Sequence, residues 1–133
     1  RQLTLDCGYS TASLRERLYV SEGEAGMCGV LIYTSTPDSD GTLGGLERQG
    51  LPQRFEPVFI NAVRALEWCS SDPLCIEGAI GGLDTFNRAA CHACCLAPET
   101  SCEHYNRYLD RALLVGAPDL PETGFFRSLL PGE

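Results

Sequence analysis

The chain of 133 residues contains no run of eighteen apolar residues, so it offers no helical membrane span. It is also short of bases. Ten Lys and Arg stand against eighteen Asp and Glu, for a net charge of −8. A surface that grips nucleic acid by itself needs a basic stripe, and this balance argues against one. Internal repeats and low-complexity tracts are absent. Residue 1 is Arg and the sole methionine is Met27. With no basic, apolar, small-residue leader ahead of the fold, the chain reads as a piece of something larger or as a processed product. At 44% hydrophobic and 21% charged it can bury one modest core, which excludes wholesale disorder.

Cysteine is what the chain has in excess. There are eight: Cys7, Cys28, Cys69, Cys75, Cys91, Cys94, Cys95 and Cys102. All but two of them crowd between 69 and 102. Disulfide scaffolds usually spread their cysteines to close long loops, whereas a metal site gathers them. Clustering therefore favours a metal and a reducing, cytoplasmic compartment.

Local patterns predict an α+β arrangement. Leu14–Val20 reads as a strand or a short helix. Gly29–Thr36 is the clearest strand, nearly continuous in apolarity and so expected to be buried on both faces. The run from Pro37 to Gly45 is a dense turn signal. Phe55, Val58, Phe59, Ala62, Leu66 and Cys69 recur at steps of three and four, one helical stripe that ends on a cysteine. Pro57 belongs in that helix's first turn, and Asp72-Pro73 ends it. Leu83–Ala90 reads as helical. Thr100 and Glu103 form a capping box for a last helix carrying Tyr105, Tyr108, Leu109, Ala112 and Leu113, stopped by Gly116. Phe125, Phe126, Leu129 and Leu130 form an apolar cluster in the tail. It either folds back on the domain, the favoured reading, or docks on a partner.

The chemistry lies in two cysteine pairs. Cys69 and Cys75 flank a five-residue loop, and Cys91 and Cys94 flank two residues. Two such pairs can supply the four thiolates of a tetrahedral zinc site. Four thiolates and Zn²⁺ sum to −2, so nearby amides or bases should compensate. Buried thiols and disulfides are the competing readings. Cys102 can substitute for one ligand, while Cys95 points away from the side that Cys94 takes. Cys7 and Cys28 read as buried thiols, and His92 and His104 as surface residues outcompeted for metal. Asp38-Ser39-Asp40-Gly41 begins like a calcium loop but lacks the bidentate Glu at its twelfth position. Gly41, Gly44 and Gly45 can form an anion nest, yet no Lys follows to make a P-loop. A Cys-x2-Cys redox pair at Cys91 and Cys94 is the rival from another class, though such pairs open a helix directly after a strand.

Longer strings then carry a resemblance. Cys7-Gly8-Tyr9-Ser10, Ser13-Leu14-Arg15-Glu16-Arg17 and Leu31-Ile32-Tyr33-Thr34 come first. Asp40-Gly41-Thr42-Leu43-Gly44-Gly45-Leu46 and Trp68-Cys69-Ser70-Ser71-Asp72-Pro73-Leu74-Cys75 follow. The series closes with Ala90-Cys91-His92-Ala93-Cys94, Pro98-Glu99-Thr100-Ser101-Cys102-Glu103 and Leu109-Asp110-Arg111-Ala112-Leu113-Leu114. This series resembles the C-terminal zinc-binding domain of the DrmB family of the DISARM anti-phage system. It is similar as well to the cysteine-bearing C-terminal domain of MrfA-type helicases. The resemblance implies a non-catalytic zinc module at 1–116 with a tail at 117–133, packed on the domain or on a partner. It places the metal on Cys69, Cys75, Cys91 and Cys94. The relatives usually carry leucine at the position of Cys95, which leaves Cys95 outside the site. It also implies a DrmA-like helicase subunit and the rest of a parent chain as partners, with DNA engaged only through the complex. The fold expected is a small sheet around Gly29–Thr36 packed by helices near 55–69 and 101–115 and stapled by zinc.

Overall fold

A computed structural model describes residues 1–35, 45–78 and 87–130. The turn expected at Pro37–Gly45 falls almost wholly outside these residues, as do the calcium-like start at 38–41 and the helix start at 83–86.

The chain opens with helix α1 (Gln2–Cys7) and a 3-10 turn at Thr11–Ser13. Strands β1 (Leu14–Ser21) and β2 (Met27–Thr34) then pair antiparallel, Leu14 opposite Thr34 and Ser21 opposite Met27. Leu14–Val20 is thus a strand. Helices α2 (Gly45–Gln49) and α3 (Pro52–Arg64) follow, then the single turn α4 (Leu74–Glu77) and a short α5 (Ala112–Val115). The α+β expectation holds: a two-stranded antiparallel sheet with helices, and four cysteines close together.

Four local expectations are corrected. The strand near Gly29–Thr36 is not buried on both faces; most of β2 is exposed. Among the described residues no third strand extends the ribbon, and two strands alone bury little. The long helix starts at Pro52, so Pro57 lies past its first turn, and the helix ends at Arg64, before Leu66 and Cys69. With no N–H on Pro57, the Gln53 carbonyl loses its helical partner. The helix expected at 101–115 shrinks to α5. Tyr105 and Asn106 take positive φ angles of 52° and 58°, which no α-helix tolerates. Asn106 is held there because its amide donates to Ala97 O at 2.7 Å and accepts from Ala97 N at 3.1 Å. Glu103 does not cap; it bonds to β1. Residues 87–90 are likewise not helical.

The apolar core is small. Val63 of α3, Val115 of α5 and Leu130 are its buried members, with Phe59, Leu66, Leu114 and Phe126 packed around them. The last segment reaches it because Phe125 and Phe126 donate their amides to Leu113 O and Leu114 O, each at 2.9 Å. Two glycines permit the approach. A Cβ on Gly116, at φ 90°, would lie 2.5 Å from Pro121 O, and one on Gly124 would collide with the Gly116 nitrogen. Phe126 packs edge-on against Phe59, but Phe125 stays 80% exposed. Leu130→Ala should therefore cost about 2–4 kcal/mol in denaturant unfolding, while Phe125→Ala should move stability by less than about 0.5 kcal/mol. Equal effects would contradict this packing.

Candidate metal centre

Four cysteine sulfurs meet at one point. The Sγ atoms of Cys69, Cys75, Cys91 and Cys94 all lie within 4.8 Å of one another. The separations are 3.4 Å for Cys69–Cys91, 3.7 Å for Cys75–Cys94 and 3.8 Å for Cys91–Cys94. A tetrahedron with Zn–S bonds near 2.3 Å has edges of about 3.8 Å. A disulfide needs about 2.05 Å, far shorter than any of these distances. The donor set therefore fits a tetrahedral thiophilic ion. Cys75 has no solvent contact and Cys69 almost none, while Cys91 and Cys94 are half-buried. A buried site with four protein donors is a closed, structural one.

Each pair is set by local hydrogen bonding. The Asp72 amide donates to Cys69 O at 2.9 Å, and the Cys75 amide to Ser71 O at 3.0 Å. These bonds turn the chain through the cis Asp72-Pro73 peptide so that both sulfurs face inward. In the other loop, Cys91 O accepts from the amides of Cys94, Cys95 and Leu96 at 3.0–3.2 Å. Backbone amides also point at sulfur: Ser71 N at Cys69 Sγ (3.4 Å) and Cys91 N at Cys94 Sγ (3.2 Å). Such bonds spread thiolate charge onto the backbone.

Two arginines, Arg111 and Arg1, hold the cysteine loops. Arg111 is wholly buried. It donates to both Asp72 oxygens (2.5 and 3.1 Å), to Leu66 O (3.1 Å) and to Ala89 O (3.3 Å). Asp72 in turn accepts from the amides of Cys69 (2.8 Å) and Ile76 (3.2 Å). One guanidinium thus clamps the Cys69–Cys75 loop to the backbone entering the Cys91–Cys94 knuckle. Arg1 donates to His92 O, Ala93 O and Cys94 O at 2.6, 3.2 and 2.8 Å. Sequence reasoning singled out neither arginine. Arg111 is 39 residues from Asp72, and Arg1 more than 90 from the knuckle. The one local signal was an acid inside the first cysteine loop.

The thiols do not titrate alike. Burial pushes Cys69 and Cys75 up. Burial also acts on Cys91, but the amides of Cys94 and Ala93 and the hydrogen bond with Cys69 outweigh it and bring it down to about 6. The remaining candidates stand apart. Burial drives Cys95 up to about 12 and also raises Cys102. Neither joins the group of four. Cys7 is buried as expected, but Cys28 is exposed on the ribbon, a correction that follows from β2 being uncovered. His104 stacks edge-on against Tyr108, and His92 is exposed.

Comparison with known proteins defines the class. The family described as the MrfA Zn-binding domain matches residues 1–95, so the chain belongs to that zinc-binding family. The DISARM protein DrmB of Bacillus paralicheniformis is 40% identical over 130 residues, 98% of this chain. The chain spans 23% of that relative's length. No helix among the described residues is long and apolar enough to cross a membrane.

Asp72→Asn leaves a buried guanidinium half-paired and should cost about 3 kcal/mol. Its pH signature is specific. Burial raises the Asp72 carboxyl, but bonds from Arg111, Cys69 N and Ile76 N outweigh that and hold it below the usual carboxylate range. Its contribution is fully present above the unfolded carboxylate pKa and is lost as pH falls through the lower folded one. Acid titration should show this loss in the wild type, and the gap between wild type and Asp72→Asn should narrow there. A gap that stays constant into acid would contradict the pairing.

Proposed function

We propose that the chain is a non-catalytic, structural zinc module of a DrmB-like anti-phage defence protein, with Cys69, Cys75, Cys91 and Cys94 as the metal ligands. The observation that carries this reading is the approach of four sulfurs, from two separate loops, to tetrahedral spacing. Bound zinc would tie those two loops together, which in a domain with so small a core is folding energy. Residues 1–116 form the domain in this reading. The tail 117–133 belongs on it, supported by Leu130 beside Val63 and Val115. Through its parent the module would support docking of a DrmA-like helicase subunit. DNA would be engaged by the complex rather than by this acidic surface. Thiolate ligands free of disulfides suit the cytoplasm.

A second reading, a thiol–disulfide redox protein, has one observation in its favour: the sulfurs of Cys91 and Cys94 lie 3.8 Å apart across the two-residue spacing of a redox pair. Against it, the knuckle opens no helix, and Cys94 shares its surroundings with two further sulfurs.

Alkylation separates the two. Purified protein should carry one equivalent of zinc, and an iodoacetamide-type reagent should label exposed Cys28 while sparing the four ligands until chelator is added. Cys75→Ser should lose the zinc and lower Tm by more than about 10 °C. Rapid labelling of Cys91 without chelator, with cycling by a dithiol, would support the redox reading instead.

A further inference from the structure

The ribbon β1–β2 has a composition at odds with its surroundings. One face carries Leu14, Glu16, Leu18 and Val20 of β1 with Thr34, Ile32, Val30 and Cys28 of β2. Leu14 is buried against the domain, and Glu16 and Ile32 are half-buried. Beyond them the face continues apolar and uncovered: Val20 is 75% exposed and Val30 57%. The other face exposes Tyr19 and Met27 at the same distal end and Leu31 nearer its middle. A near-continuous apolar run belongs to a strand covered on both sides. Two strands alone are marginal in water.

The two edges differ. Ser35 donates its amide to Ser13 O at 2.8 Å, which fixes the phase of the ladder. Leu18 and Val30 then turn their main-chain groups outward, as do Val20 and Cys28. On the β1 side the edge is capped at Leu18. Glu103 takes the Leu18 amide at 2.9 Å, its amide meets Glu16 at 3.2 Å, and it pairs with Arg17 at 3.0 Å. On the β2 side, no hydrogen bond among the described residues reaches the main chain of Cys28 or Val30 from outside the ribbon. An open, apolar edge is a template for another strand.

We propose that β2 is an acceptor edge for a strand supplied by the remainder of a DrmB-like parent polypeptide, pairing at Cys28–Val30 and widening the distal apolar ribbon. This deepens the docking role above and rests on that reading. The occupant is argued from length: the matching relative carries more than three quarters of its chain outside this unit, since only 23% is spanned. A donor strand apolar at successive positions would extend both faces, and no charge stands in its way at Cys28 or Val30.

Hydrogen exchange on the full-length parent protein, resolved to single amides, tests this. The outward amides of Cys28 and Val30 should exchange at least about a hundredfold more slowly than an open edge. Val30→Glu should release that protection together with that of one strand elsewhere in the parent, with bound zinc unchanged. Free exchange of Cys28 and Val30 in the wild-type parent would overturn the proposal whatever the variant does. So would protection that vanishes on dilution, which would assign the edge to a second copy. Zinc content is read in the same samples, so loss of the zinc-module reading would be seen separately.

Discussion

A guanidinium shut away from water must have its donors met or the fold fails, and Arg111 is that group here. Its bonds reach the backbone just past α3, both oxygens of Asp72 and the backbone at Ala89. These are the segments that carry the four cysteines into place. The ion pair is therefore a spacer between two loops: it fixes how far the Cys69–Cys75 turn stands from the Cys91–Cys94 knuckle. Hydrogen bonds of this kind, outside the ligand set, orient metal-binding side chains.

The charge at the centre follows the same logic. Four thiolates around a divalent ion leave −2, in a chain that is already −8. Asp72 neutralises Arg111 directly, so relief must also come from the amides aimed at sulfur and from Arg1 on the knuckle carbonyls. Arg1 acts at a distance from sulfur, by drawing on the same peptide units whose amides face the site. The apolar core adds a second tie to α3 and α5, where Leu130 joins Val63 and Val115.

How much of this was legible depends on the range of the interaction. Cysteine spacing is local chemistry, so the pairs Cys69/Cys75 and Cys91/Cys94 stood out in the sequence, and their sulfurs do meet. Helix α3 was visible from its stripe, but its ends were not, because Pro52 starts it and the cysteine loop takes over before Leu66. The last helix was misread for a physical reason. Thr100 and Glu103 satisfy a capping box by type, yet Asn106 bonds both ways to Ala97 and bends the chain left-handed, freeing Glu103 for β1. Strand β2 is legible as a strand but its exposure is not, since an apolar run reports the need for cover and not its source. Arg111 was illegible, as no pattern links it to an acid so far away in the chain.

The central claim is that four sulfurs, and nothing else, hold zinc in this fold. X-ray absorption at the zinc edge of the purified protein tests it most directly. The account predicts a single shell of four sulfur scatterers at about 2.3 Å. A shell containing nitrogen or oxygen at about 2.0–2.1 Å, or no zinc at all in protein that remains folded, would contradict it.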